Sequence, residues 1–253
     1  MPSFSQSRFA ARLQNVVFMR REEVGLYKEI EALLPRLDGG RVLDVGTGSG
    51  LQLRAIHEAR PQVQLFGLDF SRAAMRVAQE NLQGMDVELR QGSINDAPYE
   101  DGFFDIVTCN ASMSYWKGPV GCFNEIYRIL KPGGSGVLFE PQKEIDLDEV
   151  RETIDRNLAD KSRFRRLVAR SLNVLGLRWG HTLGLRLYAL DELRDLAQSS
   201  LFGVNHALDR VTLQNLPIFV RITLTKLTQE RPVSRESPGT GPATRFAAAW
   251  RCR

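Results

Sequence analysis

Three cysteines, three histidines and no long apolar run set the first limits on this chain of 253 residues. Cys109, Cys122 and Cys252 have neither CxxC spacing nor a histidine close by. That argues against structural zinc and a disulfide scaffold, and fits a reducing cytosol. No cluster of Asp, His and Cys gathers near the expected strand tips, so no metal is implied. No stretch approaches the roughly 20 uncharged apolar residues of a spanning helix. The opening MPSFSQSRFAARLQNVVFMRREE is interrupted by charges too often to supply a signal-peptide core, so a cytoplasmic protein is expected. With 43% hydrophobic and 25% charged residues, the composition is that of an ordinary globular chain, which excludes wholesale disorder.

The net charge of +4 is unevenly spread. Residues 229–253 carry net +3 and residues 151–186 net +6, which leaves −5 for the rest. A nucleic-acid face runs across the folded body rather than collecting in a tail and one insertion, so no nucleic-acid partner is expected.

Residues 8–37 read as helix, ended by Pro35 and the Asp38-Gly39-Gly40 turn. Beyond them, short apolar runs alternate with helical stretches. RVLDVGTGSG leads into LQLRAIHEAR, and VQLFGLD into SRAAMRVAQENL with Ser71 as N-cap. VELRQGS and FFDIVTCNA are further strands, and PVGCFNEIYRIL is a helix stopped by Lys131-Pro132-Gly133-Gly134 ahead of the strand GVLFEP. This rhythm means an α/β fold, a doubly wound parallel sheet. LDELRDLAQSSL resumes as helix, and VNHALDRV with IFVRITLTKL reads as a closing antiparallel hairpin. From Gln229 onward, Pro, Ser, Gly, Thr and Arg dominate, as in a disordered tail.

The chemistry concentrates in Val42-Leu43-Asp44-Val45-Gly46-Thr47-Gly48-Ser49-Gly50. A strand running into Gly-x-Gly-x-Gly brings backbone close to a ligand, with a helix N-terminus behind it. A dinucleotide loop requires its third glycine at position 51, which is Leu51. Asp44, two positions before the first glycine, suits an ammonium group better than a pyrophosphate. The pattern points to a nucleoside with a cationic tail rather than NAD. Asp69 follows Gly50 by 19 residues, at the tip of the next strand, where a carboxylate can accept ribose hydroxyl protons. Ser93 and Ile94 stand where an adenine ring could be flanked.

Taken together, VLDVGTGSG, FGLDFS, QGSINDAPYEDGFFDIV and YRILKPGG resemble the class I S-adenosylmethionine-dependent methyltransferases. The likeness is greatest to the small-molecule, ubiquinone/menaquinone-type branch (methyltransferase type 11-like), from about residue 30 to 141 and more loosely over 188–228. It implies a Rossmann-like sheet of seven strands with the last antiparallel, and S-adenosyl-L-methionine as cofactor. By resemblance, Asp44 with Gly46, Thr47, Gly48 and Gly50 holds the methionine end, and Asp69 and Phe70 the ribose side. Ser93 and Ile94 border the adenine, while Asn110 and Ala111 pass beneath the cofactor. Two departures stand out. Ser93 replaces an acid found in many relatives, and Ser114-Tyr115 stands where many have a histidine pair. The Asn/Asp-Pro-Pro-Tyr/Phe motif of exocyclic-amino methyltransferases is replaced by Asn110-Ala111-Ser112-Met113, and the Pro-Cys of cytosine-C5 enzymes is missing.

The expected activity is methyl transfer to an O, N or C nucleophile of a small organic molecule, apolar or acidic. The alternatives are a protein of the same fold using the cofactor structurally or for a reaction such as cyclisation, and an NAD(P)-dependent oxidoreductase. The expected domain spans 1–228, with N-terminal helices over 1–40 and a helical lid over 142–186. That segment is Arg-rich with a stripe of Leu167, Leu172, Leu175 and Leu177, so it suits covering a substrate and also peripheral membrane contact. Candidate substrate residues are Tyr115, Trp116, Glu140, Trp179 and His181, with Tyr188 facing the acceptor beside them. His181 and Tyr115 are the candidates for proton transfer, and Tyr27 on the N-terminal helix could cover the site. His57, beside Glu58 and Arg60, reads as a surface residue, and His206 as structural.

Overall fold

The computed structural model describes residues 39–157, 159, 186–213 and 216–228. Its frame follows from the alternation of side chains along short apolar strands. β1 (Arg41–Val45), β2 (Gln64–Asp69), β3 (Val87–Gln91), β4 (Phe104–Asn110) and β5 (Leu130–Pro141) pair in parallel. Successive residues point to opposite faces of the sheet. Val42, Leu65 and Ile106 therefore pack on α1 (Leu51–Ala59) and α2 (Arg72–Asn81), in a cluster with Leu53, Ile56 and Ala78. Leu43, Phe66 and Val107 face the other way, toward Phe123 and Ile126 of α3 (Pro119–Ile129). Burial on both faces is why β1, β2, β4 and the second half of β5 read as nearly continuous hydrophobic runs, unlike the edge strand β3.

After β5 come α4 (Leu147–Asn157), α5 (Leu190–Gln198), β6 (His206–Leu213) and β7 (Leu216–Thr225). The sheet has seven strands in the order β3-β2-β1-β4-β5-β7-β6. β7 runs antiparallel to both neighbours, with Asp209 opposite Arg221 and Glu140 opposite Val220. The expected hairpin and antiparallel last strand are thus present. α4 packs on β7 and α5 on α3 and β6.

One boundary differs from expectation. α3 ends at Ile129, but β5 begins at once at Leu130, with Lys131-Pro132-Gly133-Gly134 accommodated as an irregularity in the pairing. Phe104 pairs with Leu130 and Ile106 with Ser135. The excursion is tied down from both sides. Lys131 Nζ bonds Asp105 at 2.7 Å, and the Gly133 N–H donates to Lys226 O at 2.7 Å. The expected helices over 1–40, most of the lid over 142–186 and the tail from 229 lie outside the described residues. Of the lid, the described part includes the helix α4.

Candidate functional site

The polar groups of interest gather toward the carboxyl ends of β1 to β5, where open parallel sheets bind ligands. The turn after β1 has Gly46, Gly48 and Gly50 at φ +71, +56 and +77. A Cβ on Gly46 would lie 2.5 Å from Ser112 Cβ and Oγ, and one on Gly50 would lie 2.7 Å from Leu82 Cδ1. Gly46 and Gly50 are therefore required by both conformation and close packing, and Gly48 by conformation. The amides of Gly46 and Thr47 donate to Leu68 O, at 2.7 and 3.2 Å, which fixes the turn against the tip of β2.

Asp69 ends β2 and is 7% exposed. Its Oδ2 accepts from the Gly48 N–H at 2.9 Å and its Oδ1 from the Ser71 N–H at 2.8 Å. Burial raises its pKa, and these two donors work against that rise. Ser71 caps α2 as expected, its Oγ accepting from the Ala74 N–H. Asp44 lies deeper, within β1. Thr108 Oγ1 donates to its Oδ1 at 3.0 Å, and burial pushes its pKa up to about 7.

One cleft collects seven of the residues singled out from the sequence. Gly46, Asp69, Phe70, Ser93, Ile94, Tyr115 and Trp116 line it, together with Ser112. Ser93 opens the short turn Ile94–Asp96, its Oγ accepting from the Asn95 N–H, and the Asn95 amide in turn donates to Lys117 O. Phe70 and Tyr115 are both exposed, with ring centroids 6.2 Å apart. Trp116 packs edge-on against Phe123. Burial, with the charges of Asp69 and Glu140, raises the Tyr115 pKa, which disfavours its ionised form.

Asp44, Thr47, Gly48, Gly50, Asn110 and Ala111 stand behind this lining. Asn110 is the last residue of β4. Ala111, at φ +51, is the one non-glycine residue with positive φ among the described residues. Two expectations change. Glu140 is 1% exposed, and its carboxylate faces inward, where Oε1 accepts from the amides of Ser112 and Met113. Tyr188 is likewise buried, with its hydroxyl on Met113 O at 3.4 Å, so it supports the cleft wall from behind instead of facing an acceptor. Both side chains are drawn inward because the turn after β4 leaves buried amides and carbonyls that need partners. Trp179, His181 and Tyr27 lie outside the described residues. His57 sits on α1, and His206 Nδ1 lies 2.7 Å from Gly203 O. Ser112 is a cleft residue that reading the sequence missed, and Asn95 braces the Ser93 turn beside the cleft. Single serines and asparagines in a loop carry no spacing signal.

The set offers a buried carboxylate, an apolar slot and tightly approached backbone. Among the described residues, the Cys109 thiol is buried and its pKa is pushed well up. No group of three or more potential metal ligands occurs among the described residues. Residues 43–138 match the family described as a methyltransferase domain. The match spans 96 of the 253 residues.

The methyltransferase YdaC of Bacillus subtilis, itself uncharacterised, is 32% identical over 108 residues, which is 43% of this chain and 60% of that protein. The demethylmenaquinone methyltransferase of Staphylococcus carnosus is 30% identical over 131 residues, 51% of this chain and 54% of that one. The chain thus spans roughly half the length of the curated relatives it matches. Among solved structures, phosphoethanolamine N-methyltransferase 2 of Haemonchus contortus in complex with S-adenosyl-L-methionine superposes with a TM-score of 0.60 at 18% identity. That alignment covers 81% of this chain and 44% of that one. Such a likeness shows the fold, which is the Rossmann-like sheet expected from the motifs.

Proposed function

We propose that this chain binds S-adenosyl-L-methionine in the cleft and transfers its methyl group to a small organic acceptor. The observation that carries the reading is Asp69, a buried carboxylate at the tip of β2 that lines the cleft. Only one backbone donor occupies each of its oxygens, so lone pairs remain for a ribose diol. Phe70, Ser93 and Ile94 supply the flanks for an adenine ring, and Gly46 to Gly50 with Asp44 take the amino-acid end. Thr47 is buried beside Asp44, and its hydroxyl works against the rise in that carboxyl's pKa.

The bound cofactor supplies an activated methyl group on a sulfonium. The chain's own residues then have three tasks: aligning the acceptor, excluding water and leaving a route for the acceptor's proton. Trp116 and Tyr115 form the wall on the acceptor side, with the neutral Tyr115 hydroxyl able to orient an acceptor oxygen or nitrogen. No step requires a metal. His181 and Trp179 are proposed to reach the acceptor from a lid over 142–186, within a domain of 1–228. The same basic segment is where peripheral membrane contact would occur. No described helix is long and apolar enough to cross a membrane.

Calorimetry with S-adenosylhomocysteine and, separately, NADH tests the reading. Binding of the first alone is expected. Asp69→Ala should weaken it by about 1.5–3 kcal/mol, the usual loss for a charge-assisted hydrogen-bond pair. An unchanged dissociation constant would place the ribose elsewhere.

A further inference from the structure

The wall of the cleft facing Asp69 is the turn from Ser112 to Trp116, and its own sequence does little to hold it. It is entered through Ala111 in a left-handed conformation, which L residues avoid. Its only internal bonds are those of a single tight turn, Tyr115 N–H to Ser112 O and Trp116 N–H to Met113 O, both 3.0 Å. The amides of Ser112 and Met113 that lead into this turn have no preceding helical carbonyls to meet. Left alone beneath the cleft, they would be unsatisfied donors.

Both amides go to one atom. Glu140 Oε1 accepts from Ser112 N–H at 2.8 Å and from Met113 N–H at 2.9 Å. Glu140 can serve as an anchor because its own backbone is fixed, between β4 on one side and Val220 of β7 on the other. The turn it holds reaches the cleft at two places. Ser112 packs over Gly46 closely enough to exclude a Cβ there, and its Oγ donates to Val45 O at 3.2 Å. Tyr115, three residues on, is brought opposite Phe70 at the mouth.

We propose that Glu140 is the positioning residue of this cleft. By accepting both leading amides of the Ser112–Trp116 turn, it sets where Ser112 and Tyr115 stand against Gly46 and Phe70. It thereby sets the affinity of the site for the nucleoside half of the cofactor. The proposal rests on reading the cleft as the S-adenosylmethionine site. Glu140 acts through the turn and touches neither cofactor nor acceptor.

Two substitutions separate this role from simple packing. Glu140→Gln keeps the size and an oxygen able to accept both amides, whereas Glu140→Met fills the volume without an acceptor. The probe is 5′-methylthioadenosine, which carries the adenine, ribose and sulfur but no amino acid, so the Asp44 end of the site is silent. Calorimetry is paired with hydrogen exchange of the peptide spanning residues 109–117. Glu140→Gln should bind within about threefold of the parent chain and keep the protection of that peptide. Glu140→Met should bind at least tenfold more weakly and lose protection there, while peptides from β1 and β3 exchange as before. Three results would overturn the proposal: parent-like binding by Glu140→Met, protection lost evenly across the sheet, or Glu140→Gln behaving like Glu140→Met. If the parent chain itself fails to bind both this probe and S-adenosylhomocysteine, the proposed function falls. The positioning role is then decided by the exchange pattern, which stands if protection is lost at 109–117 in Glu140→Met alone.

Discussion

Asp44 shows how a candidate binding residue can work against the fold that carries it. It is buried at 2% exposure, and its pKa stands near 7 against an ordinary value of 3.8. Between those two values the folded chain holds a proton that the unfolded chain has lost. Stability therefore falls as pH rises through this window and levels off above about 7. Asp44→Asn keeps an oxygen for the Thr108 hydroxyl and has no proton to lose. The melting temperature of the parent chain, measured relative to Asp44→Asn, should decline from pH 4 to pH 7 and then stay flat. A difference independent of pH would mean that Asp44 is ionised throughout. If the cofactor's ammonium group sits on Asp44, calorimetry near pH 6.5 in buffers of different ionisation heat should also report proton release on binding by the parent chain.

Among the elements, the turn between β1 and α1 depends on contacts made far along the chain. Gly46 combines φ +71 with a Ser112 side chain 2.5 Å from where a Cβ would stand. Gly46→Ala must strain its own backbone and also push Ser112 off the Val45 carbonyl. Together these should cost roughly 2–3 kcal/mol of stability, read as a lowered melting temperature. Removing the obstacle with Ser112→Gly should recover part of that loss in the double variant, because the steric half disappears while the backbone half remains. Strict additivity of the two single changes would show that Ser112 does not crowd Gly46.

For the whole molecule, cofactor cleft and acceptor cover are separable in sequence. The cleft lining runs from Val45 to Trp116, whereas the proposed lid follows β5. Replacing residues 158–185 with a short Gly/Ser bridge leaves α4 on β7 and α5 on α3. Binding of S-adenosylhomocysteine should persist within a few-fold, while methyl transfer to a substrate found by screening should drop at least a hundredfold. Normal turnover by this variant would mean that the segment covers no acceptor, and vesicle binding would then be the assay to apply to it.

What the sequence determined by itself was the set of features written in local chemistry. Strand–helix alternation, the Ser71 cap and the glycine turn all follow from periodicity and backbone preference over a few residues. So does the placement of Asp69, since a strand of given length puts its last side chain at the sheet edge. Tertiary structure alone decided the work of Glu140, Ser112, Tyr188 and Asn95. Glu140 and Ser112 are 28 residues apart, and Tyr188 and Met113 75 apart. No spacing rule connects such pairs, because the demand they meet arises only when β4 and β5 are laid side by side. Reading along the chain, Glu140 and Tyr188 look like polar residues at the mouth of a site. Once the sheet forms, the buried amides and the carbonyl of the turn after β4 draw both side chains inward, where an unmet hydrogen bond costs most.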